Sequence, residues 1–287
     1  MKKTLPLLSL ALVLVLFACK KSSKSEAQPE EKLYPVTFSA SEFEQTTKGI
    51  STVSADSAKS YLKNLHYVVF NSSGTFVRSM QQDSALANFG TIRDSLPAGT
   101  YKILVSGSPV RYGLSLNSGT YSQGFFNRAN GDYFSKEIPL TVSGPVSQNI
   151  TLDRITGKLT VQFKDAIPSN VTRLVFRLVD DRLADFDQTF FGSVEERSSD
   201  IKSSDRLTSN YTYSTFILYT GNAFSLNIRA YNSSNSLVVD KTVNNVTVTK
   251  NKETIVTGKL FDTINHDGGF TIFVNKDLEP IPTVIEF

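Results

Sequence analysis

From Leu33 onward, apolar side chains recur at every second position, and that period constrains the fold more than any other feature. Tyr34, Val36 and Phe38 alternate with Pro35, Thr37 and Ser39. Tyr101, Ile103 and Val105 share one face of "YKILVSG". Leu159, Val161 and Phe163 oppose Lys158, Thr160 and Gln162 in "KLTVQF", and "FSLNIRAY" lines up Phe224, Leu226, Ile228 and Ala230. "LVFRLV" (174–179), "VTVT" (246–249) and "FTIFV" (270–274) fit the same pattern. Successive side chains of a strand point to opposite faces, so this period predicts strands with one buried and one wet face. Turn residues fall between the runs: "NSSG" at 71–74, "PAG" at 97–99, "SGP" at 143–145 and "TGN" at 220–222. The expected fold class is all-β, an antiparallel β-sandwich. One short helix is expected over 55–65, with Asp56 as its N-cap and Ala58, Tyr61, Leu62 and Leu65 at helical spacing.

The chain has 287 residues, enough for roughly two domains of ordinary size. "YVVFNSSGTFV" (67–77) and "IRAYNSSNSLV" (228–238) both read as strand, Asn-Ser-Ser turn, strand. With a boundary near Leu152, the expected domains are 33–151 and 152–287. Asn-Ser-Ser turns are common, so the echo alone does not establish a repeat.

Hydrophobic residues make up 40% of the chain and charged residues 20%, which supports a packed core. The net charge of +3 is too small for a nucleic-acid-binding face. A single Cys excludes an internal disulfide and, with only two His, a structural zinc site. No cofactor or metal site is expected. His66 lies in a predicted strand and His266 in a predicted turn, and there is no Gly-x-Ser-x-Gly elbow, so no catalytic triad is expected. Asp180, Asp181, Asp185 and Asp187 cluster in "VDDRLADFD", but without the spacing or central Gly of a calcium loop. The expectation is a protein that is not an enzyme.

The N-terminus carries Lys2-Lys3 and then an apolar run from Leu5 to Ala18. That run of about 14 residues falls short of the about 20 that span a bilayer, so it reads as a secretory signal. Leu16-Phe17-Ala18-Cys19 resembles a bacterial lipobox, with Phe17 where a smaller residue is usual. The resemblance implies acylation of Cys19, with palmitate-type chains, and an outer-membrane lipoprotein expected on the cell surface. Residues 1–18 would then be the signal peptide. Residues 19–32, polar and without periodicity, would be a lipidated, flexible tether.

The longest irregular aromatic stretch, 111–134, carries Tyr112, Tyr121 and Tyr133 among Gly and Asn. Two readings stay open: these rings contact a glycan or a partner, or they cover the first sandwich. Asp-Ser-Ala at 56–58 and 83–85, Asp-Ser-Leu at 94–96 and Asp-Thr-Ile at 262–264 resemble a bacterial O-glycosylation signal.

Four stretches in order resemble the fimbrillin superfamily of lipoproteins. "VTFSASEFEQTTKGI" (36–50) is similar to its first strand and crossover. "LKNLHYVVFNSSGTFV" with "SLPAGTYKILVSGS" is similar to its first-domain hairpin and strand entry. "ITLDRITGKLTVQF" (150–163) and "VTKNKETIVTGKLF…FTIFVN" (247–275) are similar to the opening and closing of its second domain. The resemblance implies two tandem transthyretin-like β-sandwiches in a pilus anchor or accessory subunit supporting adhesion. A glycan-binding lipoprotein of a polysaccharide-uptake system is the alternative. It also implies pilus-subunit partners joined by β-strand addition. Stalk subunits of the family lose their first strand to a protease that cuts after Arg. Here the first Arg is Arg78, beyond that strand, so the resemblance favours an anchor over a stalk. The apolar tail 278–287 could be donated to a neighbour or close its own domain.

Overall fold

The computed structural model describes residues 31–46, 50–52, 61–110, 114–116, 119–127, 131–180, 183–185, 192–262 and 269–277. The strands in chain order are β1 (Leu33–Thr46), β2 (Ile50–Thr52), β3 (Asn64–Asn71), β4 (Phe76–Asp83), β5 (Thr91–Pro97), β6 (Gly99–Ser108) and β7 (Leu114–Leu116). They continue with β8 (Gly124–Asn127), β9 (Phe134–Val142), β10 (Val146–Arg154), β11 (Gly157–Phe163), β12 (Val171–Asp180) and β13 (Leu183–Asp185). The last are β14 (Ser193–Asp200), β15 (Thr212–Ile217), β16 (Ala223–Asn232), β17 (Leu237–Thr247), β18 (Lys252–Gly258) and β19 (Thr271–Asp277). Two 3-10 turns, Tyr121–Gln123 and Ser203–Asp205, interrupt them. The helix expected over 55–65 falls mostly outside the described residues, and at its end Asn64 and Leu65 already belong to β3.

The alternation in the sequence becomes two sandwich cores. In the first, Val36 and Phe38 of β1, Leu96 of β5 and Leu152 of β10 meet Tyr67 and Val69 of β3, Ile103 and Val105 of β6 and Leu140 of β9. In the second, Leu159, Val161 and Phe163 of β11 and Val256 of β18 meet Leu174 and Phe176 of β12, Leu226 and Ile228 of β16 and Val246 of β17. The first strand set pairs as β5–β1–β10 and β9–β6–β3–β4. Its two sheets touch where Asp153 and Arg154 of β10 pair with Ser135 and Phe134 of β9. The second set pairs as β15–β11–β18–β19 and β14–β12–β16–β17. A small sheet, β13–β8–β7, lies apart.

The two sets share one pairing scheme. β1 runs parallel to β10 and antiparallel to β5, as β11 runs parallel to β18 and antiparallel to β15. β3–β4, β3–β6 and β6–β9 correspond to β12–β14, β12–β16 and β16–β17. The two parallel pairs depart from the expected all-antiparallel sandwich. Periodicity reports which face of a strand is buried, not the direction of its neighbour.

The Asn-Ser-Ser echo is real as a turn but does not mark the repeat. The Asn71 amide oxygen accepts the N–H groups of Ser73 and Thr75, at 3.1 and 2.9 Å. Asn232 does the same for Ser234 and Ser236, at 3.0 and 2.9 Å. Gly74 and Asn235 take the positive φ that each turn needs, +77° and 59°. Yet the first turn joins β3 to β4, whereas the second joins β16 to β17, the counterparts of β6 and β9.

A third cluster packs against the outer face of β3 and β6. Val68, Phe70 and Leu104 are covered there by Tyr121, Tyr133, Ile155 and Leu218. This explains why "YVVF" is an unbroken apolar run, since β3 is buried on both faces. Beneath it lies a buried polar knot. Arg154 bonds both oxygens of Asp132 through Nε at 3.0 Å and reaches Asn251 Oδ1 at 3.0 Å. Thr156 donates to Asp132 at 2.6 Å and Tyr61 to its other oxygen at 2.8 Å. A Cβ on Gly157 would lie 2.4 Å from the Thr249 carbonyl oxygen, so the chain can enter β11 this closely only as glycine.

Candidate functional site

β1 is the strand whose position bears most directly on assembly. Val36, Phe38 and Ala40 are at most 2% exposed, so its alternate side chains fill the first core. Phe38 and Tyr67 hold their ring centroids 6.0 Å apart, and Ala40 N–H donates to the Gly90 carbonyl at 2.7 Å. The strand uses both backbone edges, with rows from Val36↔Val146 to Phe43↔Leu152 on one side and from Leu33↔Pro97 to Ser39↔Thr91 on the other. The slot it fills therefore has hydrogen-bonding strands on both sides and an apolar floor. That is the geometry a donated strand requires. β11 fills the same kind of slot, but it is joined to strands on both sides in the chain, whereas β1 opens the first set.

β5 is held to the opposite sheet beside this slot. Arg78 of β4 reaches Asp94 of β5 at 2.9 Å, and the Tyr67 hydroxyl donates to the other Asp94 oxygen at 3.1 Å. Burial, then the Asp94 charge, push the Tyr67 phenol well above its usual range. Burial and Asp132 act on Tyr61 in the same direction.

The residues singled out from sequence separate clearly. Cys19 and Tyr112 lie outside the described residues. Tyr121 and Tyr133 are 6% and 1% exposed. The Tyr121 ring meets Phe70 edge-on at 5.2 Å, lies under Lys102 Nζ at 4.0 Å and donates its hydroxyl to Glu137. Tyr133 sits beside Ile155, whose N–H it accepts at 2.9 Å. A sugar cannot stack on rings already sandwiched by protein, so these two tyrosines cover the first sandwich rather than form a contact surface. His66 is half-buried in β3, and His266 lies outside the described residues. Among the described residues, no group of three or more His, Cys, Asp or Glu could hold a metal ion. No helix there is long and apolar enough to cross a membrane.

Sequence reasoning missed a cleft of about 570 Å³ on the outer face of the β14–β12–β16–β17 sheet. Arg177, Asn227, Arg229, Asp240 and Thr242 line it. The alternation of "LVFRLV" put Arg177 on the wet face, but its neighbours come from strands far away in the chain. Burial draws the Arg229 guanidinium down, but its hydrogen bonds to and charge interactions with Glu196 and Tyr231 together outweigh that, so the net shift is upward.

Among curated proteins, none matches the sequence significantly. Solved structures do match in fold. A candidate polysaccharide-binding protein from Bacteroides thetaiotaomicron aligns at 14% identity with a TM-score of 0.56, covering 87% of this chain and 98% of that one. A candidate adhesin from the same organism aligns at 10% identity with a TM-score of 0.54, covering 85% and 97%. The fimbrial anchor protein Mfa2 from Porphyromonas gingivalis aligns at 12% identity with a TM-score of 0.49, covering 85% and 98%. The family model of the fimbrillin-A associated anchor proteins Mfa1 and Mfa2 matches residues 29–277, which contain all of the strands described above, and the chain belongs to that family.

Proposed function

We propose that this is an exported, non-enzymatic envelope protein, held in the outer membrane by a lipid on Cys19. It serves as an anchor or accessory subunit of a fimbria, supporting adhesion and assembly. Membership of a fimbrial anchor family supports the association with pilus subunits and the envelope location. The anchor role is carried by one observation about β1. The strand is built into the first core on both edges, and no Arg occurs between Cys19 and its last residue, Thr46. Cleavage after Arg therefore cannot part the lipid site from the body at this point. A β1 that stays in its slot leaves the protein an end-point of a strand-donating chain rather than a link in it. In this reading the two strand sets are separate domains that meet at the β10–β11 connection, a few residues beyond Leu152. The tail 278–287, outside the described residues, remains the segment able to contact a neighbouring subunit.

Metabolic labelling with an alkyne-palmitate, followed by mass spectrometry of the mature chain, tests the proposal. The expected result is label in the outer-membrane fraction, a mature chain that retains residues 33–46, and loss of label in Cys19→Ser. A wild-type chain without label, or a mature chain beginning after residue 46, overturns it.

A further inference from the structure

We propose that the cleft on the outer face of the β14–β12–β16–β17 sheet binds an acidic glycan, with Arg177 holding a sugar carboxylate. This goes beyond the anchor role and does not depend on the lipid at Cys19. The argument begins with cross-strand pairing. Arg177 of β12 stands directly opposite Glu196 of β14, which is its expected ion-pair partner. Glu196 is engaged elsewhere, because its carboxylate accepts from Arg229 Nη2 at 2.6 Å, two strands away. Arg229 is fixed further by Asn227 at 2.9 Å and by the Tyr231 hydroxyl at 3.3 Å. Asn227 in turn donates to Asp240 and to Thr242 Oγ1. The lining side chains thus satisfy one another, apart from Arg177. Among the described residues, Arg177 is exposed and has no hydrogen-bond or ion-pair partner. Its planar fork of donors suits a bidentate carboxylate.

The surroundings select the class of ligand. β12 and β16 are interior strands, each paired on both sides, so no peptide can add to them as a strand. The ligand has to be held by side chains. Asn227, Asp240 and Thr242 offer amide, carboxylate and hydroxyl groups fit for sugar hydroxyls. Val194, 55% exposed, and Val179 give an apolar rim for the C–H face of a ring. Four strands span about 14 Å, room for a short oligosaccharide. A cleft of about 570 Å³ falls within the size range of small-ligand sites.

Calorimetric titration of the full chain in detergent micelles with galacturonate, glucuronate and mannuronate trisaccharides tests the assignment. At least one is expected to bind, with affinity at least about tenfold weaker in Arg177→Ala. Arg177→Lys recovers part of the loss, since an ammonium lacks the fork. Glu196→Gln, which removes the nearest anion, tightens binding. Arg173→Ala, on the same face outside the cleft, leaves it unchanged. Hydrogen exchange of the unmutated protein is expected to show ligand protection along β12 and β16, which keeps the test independent of how the variants fold. The proposal fails if no uronate binds, if neutral trisaccharides bind equally well, if Arg177→Ala binds like the parent, or if an acidic peptide binds where uronates do not.

Discussion

Arg78 and Arg197 do the same job in the two strand sets with different chemistry. Each stands on the strand that pairs with the second-sheet partner, β4 or β14, and reaches across to the edge strand of the opposite sheet, β5 or β15. Arg78 keeps 44% of its side chain exposed and meets a carboxylate, Asp94. Arg197 is 6% exposed and donates across to β15, to the Thr215 hydroxyl and, at 2.8 Å, to the Phe216 carbonyl. The same sandwich side is bridged once by a half-exposed arginine that reaches a carboxylate of the opposite sheet and once by a buried arginine that reaches a hydroxyl and a backbone carbonyl there. Pairing topology is thus the shared quantity, and the closure chemistry is free to vary around it.

The largest expected effect lies where the two sets meet. Arg154→Ala leaves the Asp132 charge buried without its ion-pair partner and is expected to cost about 3–5 kcal/mol in chemical denaturation. The Arg154→Met, Asp132→Leu double variant should recover most of that. A single variant within about 1 kcal/mol of the parent would show that the knot contributes little.

The next prediction separates the two closures. Arg197→Ala removes a buried cation and its bonds and is expected to cost about 2–3 kcal/mol. Arg78→Ala, half-solvated at the start, is expected to cost about 1 kcal/mol, because Tyr67 still donates to Asp94. The reverse order in urea melts would break the comparison.

Alkali should act on the first set. Tyr61 and Tyr67 have phenols raised above the ordinary value of 10.0. A raised acid keeps its proton in the folded state while the unfolded chain gives it up, so its stability is complete below pH 10 and falls as the pH rises further. The slope for each group rises through about half of 1.4 kcal/mol per pH unit at pH 10 and approaches that full value above it. Tyr61→Phe and Tyr67→Phe should each flatten it, read as urea midpoints between pH 9 and 11 in about half-unit steps. A flat profile in the unmutated protein contradicts this account.

The smallest effect concerns the two matched turns. Asn71→Ala loses the three hydrogen bonds its amide oxygen accepts, from the Ser73 and Thr75 N–H groups and the Ser73 hydroxyl, and Asn232→Ala loses two; each should cost about 1 kcal/mol. Equal costs would show that the turn works independently of its place in the topology. A difference above about 1 kcal/mol would show that the strand pair it joins sets its worth.

What was legible in the sequence follows from what each signal encodes. The period of two in β1, β11 and β16 identified buried faces correctly, because burial alternates within one strand. Parallel pairing of β1 with β10 was not legible, since partner direction depends on residues more than a hundred positions away. The Asn-Ser-Ser echo misled in one respect: a turn carries its own local chemistry and does not show which two strands it joins. Whether Tyr121 and Tyr133 face a ligand or cover the first sandwich stayed open in the sequence, where polar residues surround them. They are buried by Phe70, Ile155 and Leu218, which a local window does not contain. Arg177 lay on the correct wet face, yet its distinction depends on Glu196 being drawn to Arg229, a preference visible only once three strands lie side by side.

The parallel pairing of β1 with β10 also has a mechanical consequence. A pull applied between the Cys19 side of β1 and the far end of β10, where the chain passes into the second set, acts on opposite ends of two parallel strands. Such a force runs along the strands and shears all six registered rows together. Antiparallel neighbours pulled from a shared end would instead open one row after another, at far lower force. For a body tethered by its N-terminus and tugged through its C-terminal half, the first strand would act as a clamp that tightens along its own axis.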